Sequence, residues 1–182
     1  MNTKKIYLGL GSNVGNRLNY LCEAVTELAH LPKTVLTAVS SIYETEPVGN
    51  VPQNQFLNCV VEVESSEEIV LFHAHTKEIE RRIGRTKSVQ WGPREIDIDL
   101  LLCGDEIITN GILNIPHAEI SRRKFVLVPF CEIGGEAVHP IFKKTINEIF
   151  AECPDRHDVK KSEADTEQFK TQLKEFFVRT TC

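Results

Sequence analysis

The segment FLNCVVEVESSEEIVLFHAHTKEIERRIG, residues 56–84, predicts a strand followed directly by a helix. Within FLNCVVEVE, two valines alternate with two glutamates, which is the pattern of a strand with one buried face. Apolar residues then recur at helical spacing from Ile69 to Ile83. We expect Ser65 or Ser66 to cap this helix, because a serine hydroxyl can accept from the first free backbone N–H groups. The glycine that ends the segment suits the end of a helix.

The sequence on either side extends this unit to a βαββαβ order. Residues 5–10 (KIYLGL) predict a buried strand, and apolar spacing predicts a helix over about 16–31. β-Branched residues predict one strand over 34–43, and REIDIDLLLC predicts another over 94–103. This order predicts an α+β domain with a ferredoxin-like core, in which an antiparallel sheet carries helices packed on one face. Short added elements are expected at 106–109 (strand), 120–134 (helix) and 143–152 (helix).

The chain divides by composition into a body over 1–152 and a tail over 153–182. Residues 153–168 are highly charged, which predicts a linker. Residues 169–177 (FKTQLKEFF) can form an amphipathic helix that docks either on the body or on a neighbour. We expect a monomer, and weak homo-oligomerisation through the tail stays open.

Composition argues against several classes of protein. The protein has a net charge of −5, so it lacks the excess of basic residues that is typical of nucleic-acid binders. The six cysteines contain no CxxC pair, which favours scattered reduced thiols over a zinc or redox site. The short apolar run near the N-terminus is too short for a signal peptide or a membrane span. We therefore expect a cytoplasmic protein that binds neither nucleic acid nor membrane.

Asp97 and Asp99 are the strongest candidates for chemistry. In a strand, alternate side chains share a face, so both carboxylates lie on one side, roughly 6.6 Å apart along the chain. Two like charges repel, and a divalent cation between them relieves this. Mg²⁺ is commonly held by one or two carboxylates together with substrate phosphates. An ordinary strand with a solvated acidic face remains the alternative.

Basic residues flank this pair in the sequence. One group lies before it at Arg81, Arg82, Arg85, Lys87 and Arg94, and another follows His117 at Arg122, Arg123 and Lys124. Carboxylates that hold a metal, with arginines nearby, are the working parts of phosphoryl transfer. Each basic group alone is more often a solvated surface, so their combination with the two aspartates carries the interpretation.

Two further motifs are weaker. GLGSNVG (9–15) resembles a phosphate-binding glycine loop, but its third glycine comes one position late, so we interpret it as a tight turn into the first helix. Phe56 and Phe125 could hold a flat heterocycle between them, with the amide of Asn58 at its edge, although both could equally be core residues.

Four blocks of the sequence together resemble 6-hydroxymethyl-7,8-dihydropterin pyrophosphokinases, a family of the folate pathway. The blocks are GLGSNVGNR, SSIYETEPVGNVPQNQFLN, RRIGRTKSVQWGPREIDIDLLL and IPHAEISRRKFVLVPFCEI. They occur in order between about residues 5 and 150, and WGPREIDIDLL is highly specific for the family. The resemblance implies a ferredoxin-like enzyme that transfers diphosphate from ATP to the pterin hydroxymethyl group and releases AMP.

The resemblance also implies roles for individual residues. Two Mg²⁺ ions would be held by Asp97 and Asp99, and catalysis would also use Arg85 and Arg94. The matches to ATP-binding positions are Glu80, Arg85, Arg94, Leu100, Leu113, His117 and Arg123. The matches to pterin-binding positions are Thr45, Val48, Phe56, Asn58, Trp91, Asp97 and Phe125. Lys77, one turn before Glu80, departs from the family pattern and either reaches a phosphate or is solvated.

Two alternatives stay open from the residues alone. A two-metal phosphodiesterase or nuclease could use the same aspartates and arginines, although the acidic net charge and the pairing of aromatics with an amide argue against it. A ferredoxin-like sensing module would bind a small molecule without turnover, but it would not require the aspartate pair with its arginines.

Overall fold

The computed structural model describes residues 3–47, 52–85 and 92–180. Its strands are β1 (Lys4–Ser12), β2 (Thr34–Val39), β3 (Tyr43–Thr45), β4 (Phe56–Ser65), β5 (Asp97–Cys103), β6 (Ile108–Thr109), β7 (Asn114–Ile115) and β8 (Val159–Lys161). Its helices are α1 (Arg17–Ala29), α2 (Ile69–Ile83), α3 (Lys124–Gly134), α4 (Ile146–Ala151) and α5 (Glu163–Thr180), with a 3₁₀ turn over Ile120–Arg122. Within these ranges, no helix has both the length and the apolar character that crossing a membrane requires.

The main sheet has the strand order β5-β1-β4-β3-β8, and β2 also pairs with β4. Each of these pairs is antiparallel. The long strand β4 pairs with β3 near its beginning and with β2 towards its end. The predicted ferredoxin-like core is therefore confirmed, with β2 and β3 together taking the place of its second strand.

The single strand predicted over 34–43 is wrong, because the chain divides there into β2 and β3. Ser40 keeps contact with β4 through its backbone N–H, which donates to Val60 O at 2.9 Å. The backbone N–H of Ser41 instead donates to the Glu132 carboxylate at 2.9 Å. This bond to α3 breaks the pairing with β4, a long-range contact that strand propensity does not reveal.

The larger core lies between one face of the sheet and the helices α1, α2 and α5. Alternate residues of the strands point into it, among them Leu8 and Val61, which are fully buried. Leu21 of α1 and Phe72 of α2 meet them there and are equally buried. Burial of these side chains is the main force that holds the two core helices on the sheet.

A smaller core lies on the opposite face of the sheet. Tyr7 and Val60 pack there against α3 and α4, and the ring centroids of Tyr7 and Phe130 lie 4.6 Å apart. The predicted packing on one face therefore holds for α1 and α2, whereas the added helices α3 and α4 cover part of the other face. They leave the remainder of that face open, and the candidate site lies there.

The predicted start of α2 is also wrong. Ser65 ends β4, and its hydroxyl oxygen accepts from the backbone N–H of Glu67 at 3.1 Å, ahead of the helix. Glu68 caps α2 by accepting from the backbone N–H of Leu71 at 3.1 Å. The predicted end is confirmed, since Gly84 adopts the left-handed conformation with φ of 107°.

The tail is ordered against the body, where the sequence indicated a linker over 153–168. Strand β8 extends the sheet by pairing with β3, and the N–H of Ser162 donates to Ile42 O at 2.9 Å. Helix α5 docks on α1 through Phe169 and Leu173, which are both buried. These side chains lie one turn apart and form an apolar stripe, while most of the charged residues that suggested a linker are exposed.

We predict that Phe169→Ala destabilises the whole domain by about 3–5 kcal/mol, because this side chain is 1% exposed and its loss leaves a cavity. Urea unfolding followed by circular dichroism measures the change. Lys170→Ala, on the exposed face of the same helix, is the matched control and should change stability by less than about 0.5 kcal/mol. Equal stabilities of the two variants would show that α5 is not part of the folded unit.

Candidate active site

A cavity of about 390 Å³ opens on the sheet face between β3, β5 and α3. It brings together residues that are far apart in the sequence. The site residues predicted from the sequence that line it are Thr45, Phe56, Asn58, Arg94, Asp97, Asp99, His117, Arg123 and Phe125. The cavity thus has an aromatic and amide end near β3 and β4, and a charged end near β5.

The floor of the cavity is β1, at Gly9 and Gly11. Gly11 pairs with Asp97 on one side and with Asn58 on the other, while Gly9 pairs with Asp99. A Cβ atom on Gly11 would lie 3.0 Å from Asn58 Oδ1, closer than ordinary packing allows. The absence of side chains at these two positions therefore leaves the space between the carboxylates and the amide.

The interpretation of GLGSNVG as only a tight turn is wrong for its first half. Gly9–Ser12 belong to β1, and the chain turns after them. Two glycines at alternate positions of a strand signal an open face, because residues i and i+2 point the same way. That signal was present in the sequence but was outweighed by the likeness to a loop motif.

Asp97 and Asp99 lie on the same face of β5, as predicted, and both line the cavity. Asp97 is neutralised by arginines: Arg85 Nη1 lies 2.9 Å from Asp97 Oδ1, and Arg94 forms an ion pair with Oδ2. Asp99 is more enclosed. Burial and then the charge of Asp97 raise the pKa of Asp99, while the nearby His117, Lys77 and Arg123 act in the opposite direction.

Glu80 of α2 holds β5 in place from beneath. Its Oε1 accepts from the backbone N–H of Ile98, between the two aspartates, at 2.7 Å. Lys77 Nζ donates to Ile98 O at 2.9 Å and to Glu80 Oε1 at 2.8 Å. Arg85 also pairs with Glu80. We call Glu80, Lys77 and Ile98 the strand clamp, since α2 supplies the hydrogen-bond partners that a further strand would otherwise give to β5.

Asn13, directly after β1, hydrogen-bonds to the segment that precedes β4 and to the segment that precedes β5. Its Oδ1 accepts from the backbone N–H of Arg94 at 2.8 Å, and its backbone N–H donates to Arg94 O at 3.1 Å. Its Nδ2 donates to Gln53 Oε1 at 2.9 Å. Asn13 is 1% exposed, so these bonds are shielded from water and fix the backbone that carries Arg94.

His117 faces the cavity with a defined tautomer. The backbone N–H of Glu119 donates to His117 Nδ1 at 3.2 Å, so a neutral ring carries its proton on Nε2. Burial lowers the pKa of His117, although the nearby Asp99 charge opposes this. The ring is thus suited to donate a hydrogen bond from Nε2 without carrying a charge.

The other end of the cavity is suited to a flat, polar heterocycle. Phe56 and Phe125 both line it, and each ring is only partly buried. Asn58 Nδ2 donates to Thr45 Oγ1 at 2.8 Å, which orients the amide. The guanidinium of Arg123 lies 5.9 Å from the centre of the Phe125 ring. Aromatic faces with a fixed amide at one edge can both stack on a ring and read its hydrogen-bonding groups.

Several predicted site residues lie elsewhere. Arg85 reaches Asp97 but does not line the cavity, and Glu80 is buried below β5. Leu100 and Leu113 are buried in the larger core, so the position of neither side chain supports direct contact with a nucleotide. Val48 and Trp91 lie outside the described residues.

The cavity also contains residues that sequence reasoning missed. They are Gly9, Gly11, Glu46, Gln53, Glu119, Pro154, Asp155 and His157. Glu119 stands in the motif around His117 and could have been included with it. Pro154, Asp155 and His157 belong to the tail, where neither spacing nor residue type indicated a site. Arg122, from the basic group noted after His117, also lines the cavity.

Comparison with known proteins agrees with this geometry. The family model of 7,8-dihydro-6-hydroxymethylpterin-pyrophosphokinase (HPPK) matches residues 7–135. The chain belongs to the HPPK family. Its members are transferases of folate biosynthesis, and the resemblance drawn from the four sequence blocks is confirmed. The matched region contains the cavity floor, both aspartates and the start of α3, but not the tail.

Named relatives cover most of the chain. The 2-amino-4-hydroxy-6-hydroxymethyldihydropteridine pyrophosphokinase of Bacillus subtilis (strain 168) is 46% identical over 127 residues, which are 70% of this chain and 76% of that protein. The enzyme of the same name from Aquifex aeolicus (strain VF5) is 38% identical over 147 residues, which are 79% of this chain and 89% of that protein.

A solved structure supports the fold. Wild-type Plasmodium falciparum HPPK-DHPS, solved with SDX-DHP, matches with a TM-score of 0.64 and 16% identity. The match covers 83% of this chain and 44% of that longer chain. At this identity the comparison bears on the fold alone, and it agrees with the ferredoxin-like assignment.

We predict that Gly11→Ala weakens pterin binding while the protein still folds. The added methyl group would press on Asn58 Oδ1 and displace this amide. Loss of one hydrogen bond from the amide to the pterin costs about 1–1.5 kcal/mol, which corresponds to roughly a tenfold rise in KM for the pterin. Steady-state kinetics with each substrate varied in turn measures this. Gly9→Ala is the comparison variant, because its Cβ would lie at an ordinary 3.4 Å from Leu101 Cδ2. An unchanged KM for the pterin in Gly11→Ala would contradict this account of the floor.

Proposed function

We propose that this chain transfers diphosphate from ATP to the hydroxymethyl group of 6-hydroxymethyl-7,8-dihydropterin and releases AMP. Membership of the HPPK family and the names of its relatives support the reaction. The single structural observation that carries the proposal is the cavity itself, which joins a carboxylate and arginine end to an aromatic and amide end. The two ends match the two substrates, one polyanionic and one a flat heterocycle.

The proposed pterin subsite lies at the end of the cavity near β3 and β4. Phe56 and Phe125 would stack on the pterin, while Asn58, oriented by Thr45, would bond its edge. The open floor at Gly11 gives the ring room to lie across β1. Val48 and Trp91 remain proposed pterin-binding residues on the strength of the sequence match alone.

The proposed triphosphate subsite uses the basic residues around β5. Arg94, His117 and Arg123 line the cavity, and Arg85 forms an ion pair with Asp97, which also lines it. Arginine binds phosphate oxygens through a planar fork of donors, and the neutral His117 ring adds one donor. For Glu80, the contacts favour a positioning role below the site rather than direct contact with ATP.

The donor set at β5 fits Mg²⁺ in a particular way. Within the described ranges, no three or more His, Cys, Asp or Glu side chains come together as a metal cage. Two carboxylates on one face, the inner one enclosed, instead suit a cation that completes its shell with water and substrate phosphates. Asp97 and Asp99 would hold it, and two ions are proposed. When bound, Mg²⁺ would offset the charge that develops on the transferred phosphates.

The transfer itself requires positioning more than covalent chemistry by the protein. The pterin hydroxyl oxygen attacks the β-phosphorus of ATP, and the bond from that phosphorus to the oxygen bridging to the α-phosphorus breaks. AMP leaves with the bridging oxygen, and the hydroxyl proton must be released. Asp97, between the two subsites, is the proposed acceptor for that proton, while Arg85 and Arg94 offset charge on the phosphates.

The reaction is tested by incubating the protein with Mg²⁺ and ATP, with and without the pterin, and quantifying AMP and pterin diphosphate. We expect both products in equal amounts and only when the pterin is present. AMP formed without the pterin would indicate a phosphodiesterase or another hydrolase. Binding of both ligands with no AMP in either tube would indicate a sensing module and would contradict the proposal.

We predict that Asp97→Asn lowers kcat by at least about 100-fold while leaving the thermal midpoint within a few degrees, because the variant keeps the side chain's shape but loses its charge. Asp105→Asn is the matched control, since Asp105 is exposed in the turn after β5 and should retain full activity. Calorimetric titration of each variant with Mg²⁺ and a non-hydrolysable ATP analogue gives a second readout. Substantial turnover by Asp97→Asn would remove Asp97 from both proposed roles.

A further inference from the structure

The tail bridges two walls of the cavity. Residues 154–157 lie between α4 and β8, and Pro154, Asp155 and His157 line the cavity. Just after them, Val159 of β8 pairs with Thr45 of β3. This short stretch therefore connects the α3 side of the proposed pterin subsite to its β3 side, although it lies beyond residues 7–135 of the family match.

Asp155 makes the contact that matters on the α3 side. Its Oδ2 accepts from the backbone N–H of Lys124, the first residue of α3, at 2.9 Å. The local N-cap residue, Arg123, makes no side-chain capping bond to the helix. Asp155 thus supplies from 31 residues away the acceptor that a helix start needs, and its negative charge suits that end of the helix dipole.

The same carboxylate also organises its own segment. Its Oδ1 accepts from the backbone N–H of His157 at 3.0 Å and lies 2.6 Å from His157 Nδ1. Its side chain is 9% exposed. Burial opposes ionisation, but the bonds from His157 and Lys124 outweigh it and lower the pKa of Asp155, so the carboxylate is charged at neutral pH.

We propose that Asp155 is a positioning residue for the pterin subsite. It acts through Lys124, the residue between Arg123 and Phe125, and thereby fixes where the Phe125 ring stands in the cavity. The segment 154–157 is the outer wall of that subsite. This inference rests on the proposed function, because it assigns the pterin to the end of the cavity that contains Phe125.

The experiment compares Asp155→Ala with Arg156→Ala. Arg156 is the matched control, since it lies in the same segment, is exposed and does not line the cavity. For Asp155→Ala we expect KM for the pterin to rise roughly five- to tenfold, the effect of losing a charge-assisted hydrogen bond that orders the subsite. KM for ATP should rise less than KM for the pterin, because Arg123 is the only proposed triphosphate residue that adjoins Lys124, whereas Arg85, Arg94 and His117 are untouched. Arg156→Ala should match the wild type in both.

A second variant keeps the test decisive if Asp155→Ala does not fold. Asp155→Asn retains one carbonyl oxygen that can accept from Lys124 N–H, so it should fold and raise KM for the pterin above the wild-type value by less than about fivefold. A thermal midpoint that falls with both KM values unchanged would overturn the inference and leave Asp155 a purely structural residue. Equal rises in both KM values, or the same defect in Arg156→Ala, would also overturn it. Failure of the wild-type protein to form pterin diphosphate would instead count against the proposed function.

Discussion

The strand clamp at Ile98 is the constraint on which the site depends. β5 is the edge strand of the main sheet, so β1 can satisfy the hydrogen-bonding groups on only one of its sides. On the other side, Glu80 accepts from Ile98 N–H and Lys77 donates to Ile98 O, so α2 acts as the missing neighbour. Since Ile98 stands between Asp97 and Asp99, the clamp fixes both carboxylates relative to the floor of the cavity. It also explains Lys77, whose Nζ group is engaged by the strand and by Glu80 rather than being merely solvated.

Charge balance follows from the same arrangement. The carboxylates of Glu80, Asp97 and Asp99 lie close together in a poorly hydrated region, so each requires a nearby positive charge. Arg85 forms ion pairs with both Glu80 and Asp97, and Arg94 forms one with Asp97. The more enclosed carboxylate of Asp99 is the least neutralised of the three. An acidic protein can thus offer an anionic substrate a local group of arginines, and its overall charge says little about that site. Substrate binding also requires space beside those charges, and Gly9 and Gly11 provide it because they have no side chains.

The sequence predicted the parts of this protein that local periodicity controls. Alternation placed Asp97 with Asp99 on one face, and helical spacing found α1 and α2. Features set by distant contacts were not predictable in that way. Glu132 of α3 divides the strand over 34–43, Phe169 docks a helix whose surroundings looked like a linker, and Asp155 reaches the start of α3. The four sequence blocks were sufficient to indicate the family because they contain most of the residues that line the cavity, whereas the tail lies outside that resemblance.

The most direct test of the clamp is amide hydrogen exchange of Ile98, measured by NMR together with kcat in Glu80→Ala. We expect exchange at Ile98 to be faster by at least about tenfold, because its N–H loses a buried acceptor, while exchange at Leu21 in α1 stays at the wild-type rate. We also expect kcat to fall on the order of 100-fold, since a small displacement of β5 misplaces both aspartates. Ile98 as protected as in the wild type, with full activity, would contradict the claim that Glu80 fixes the catalytic strand.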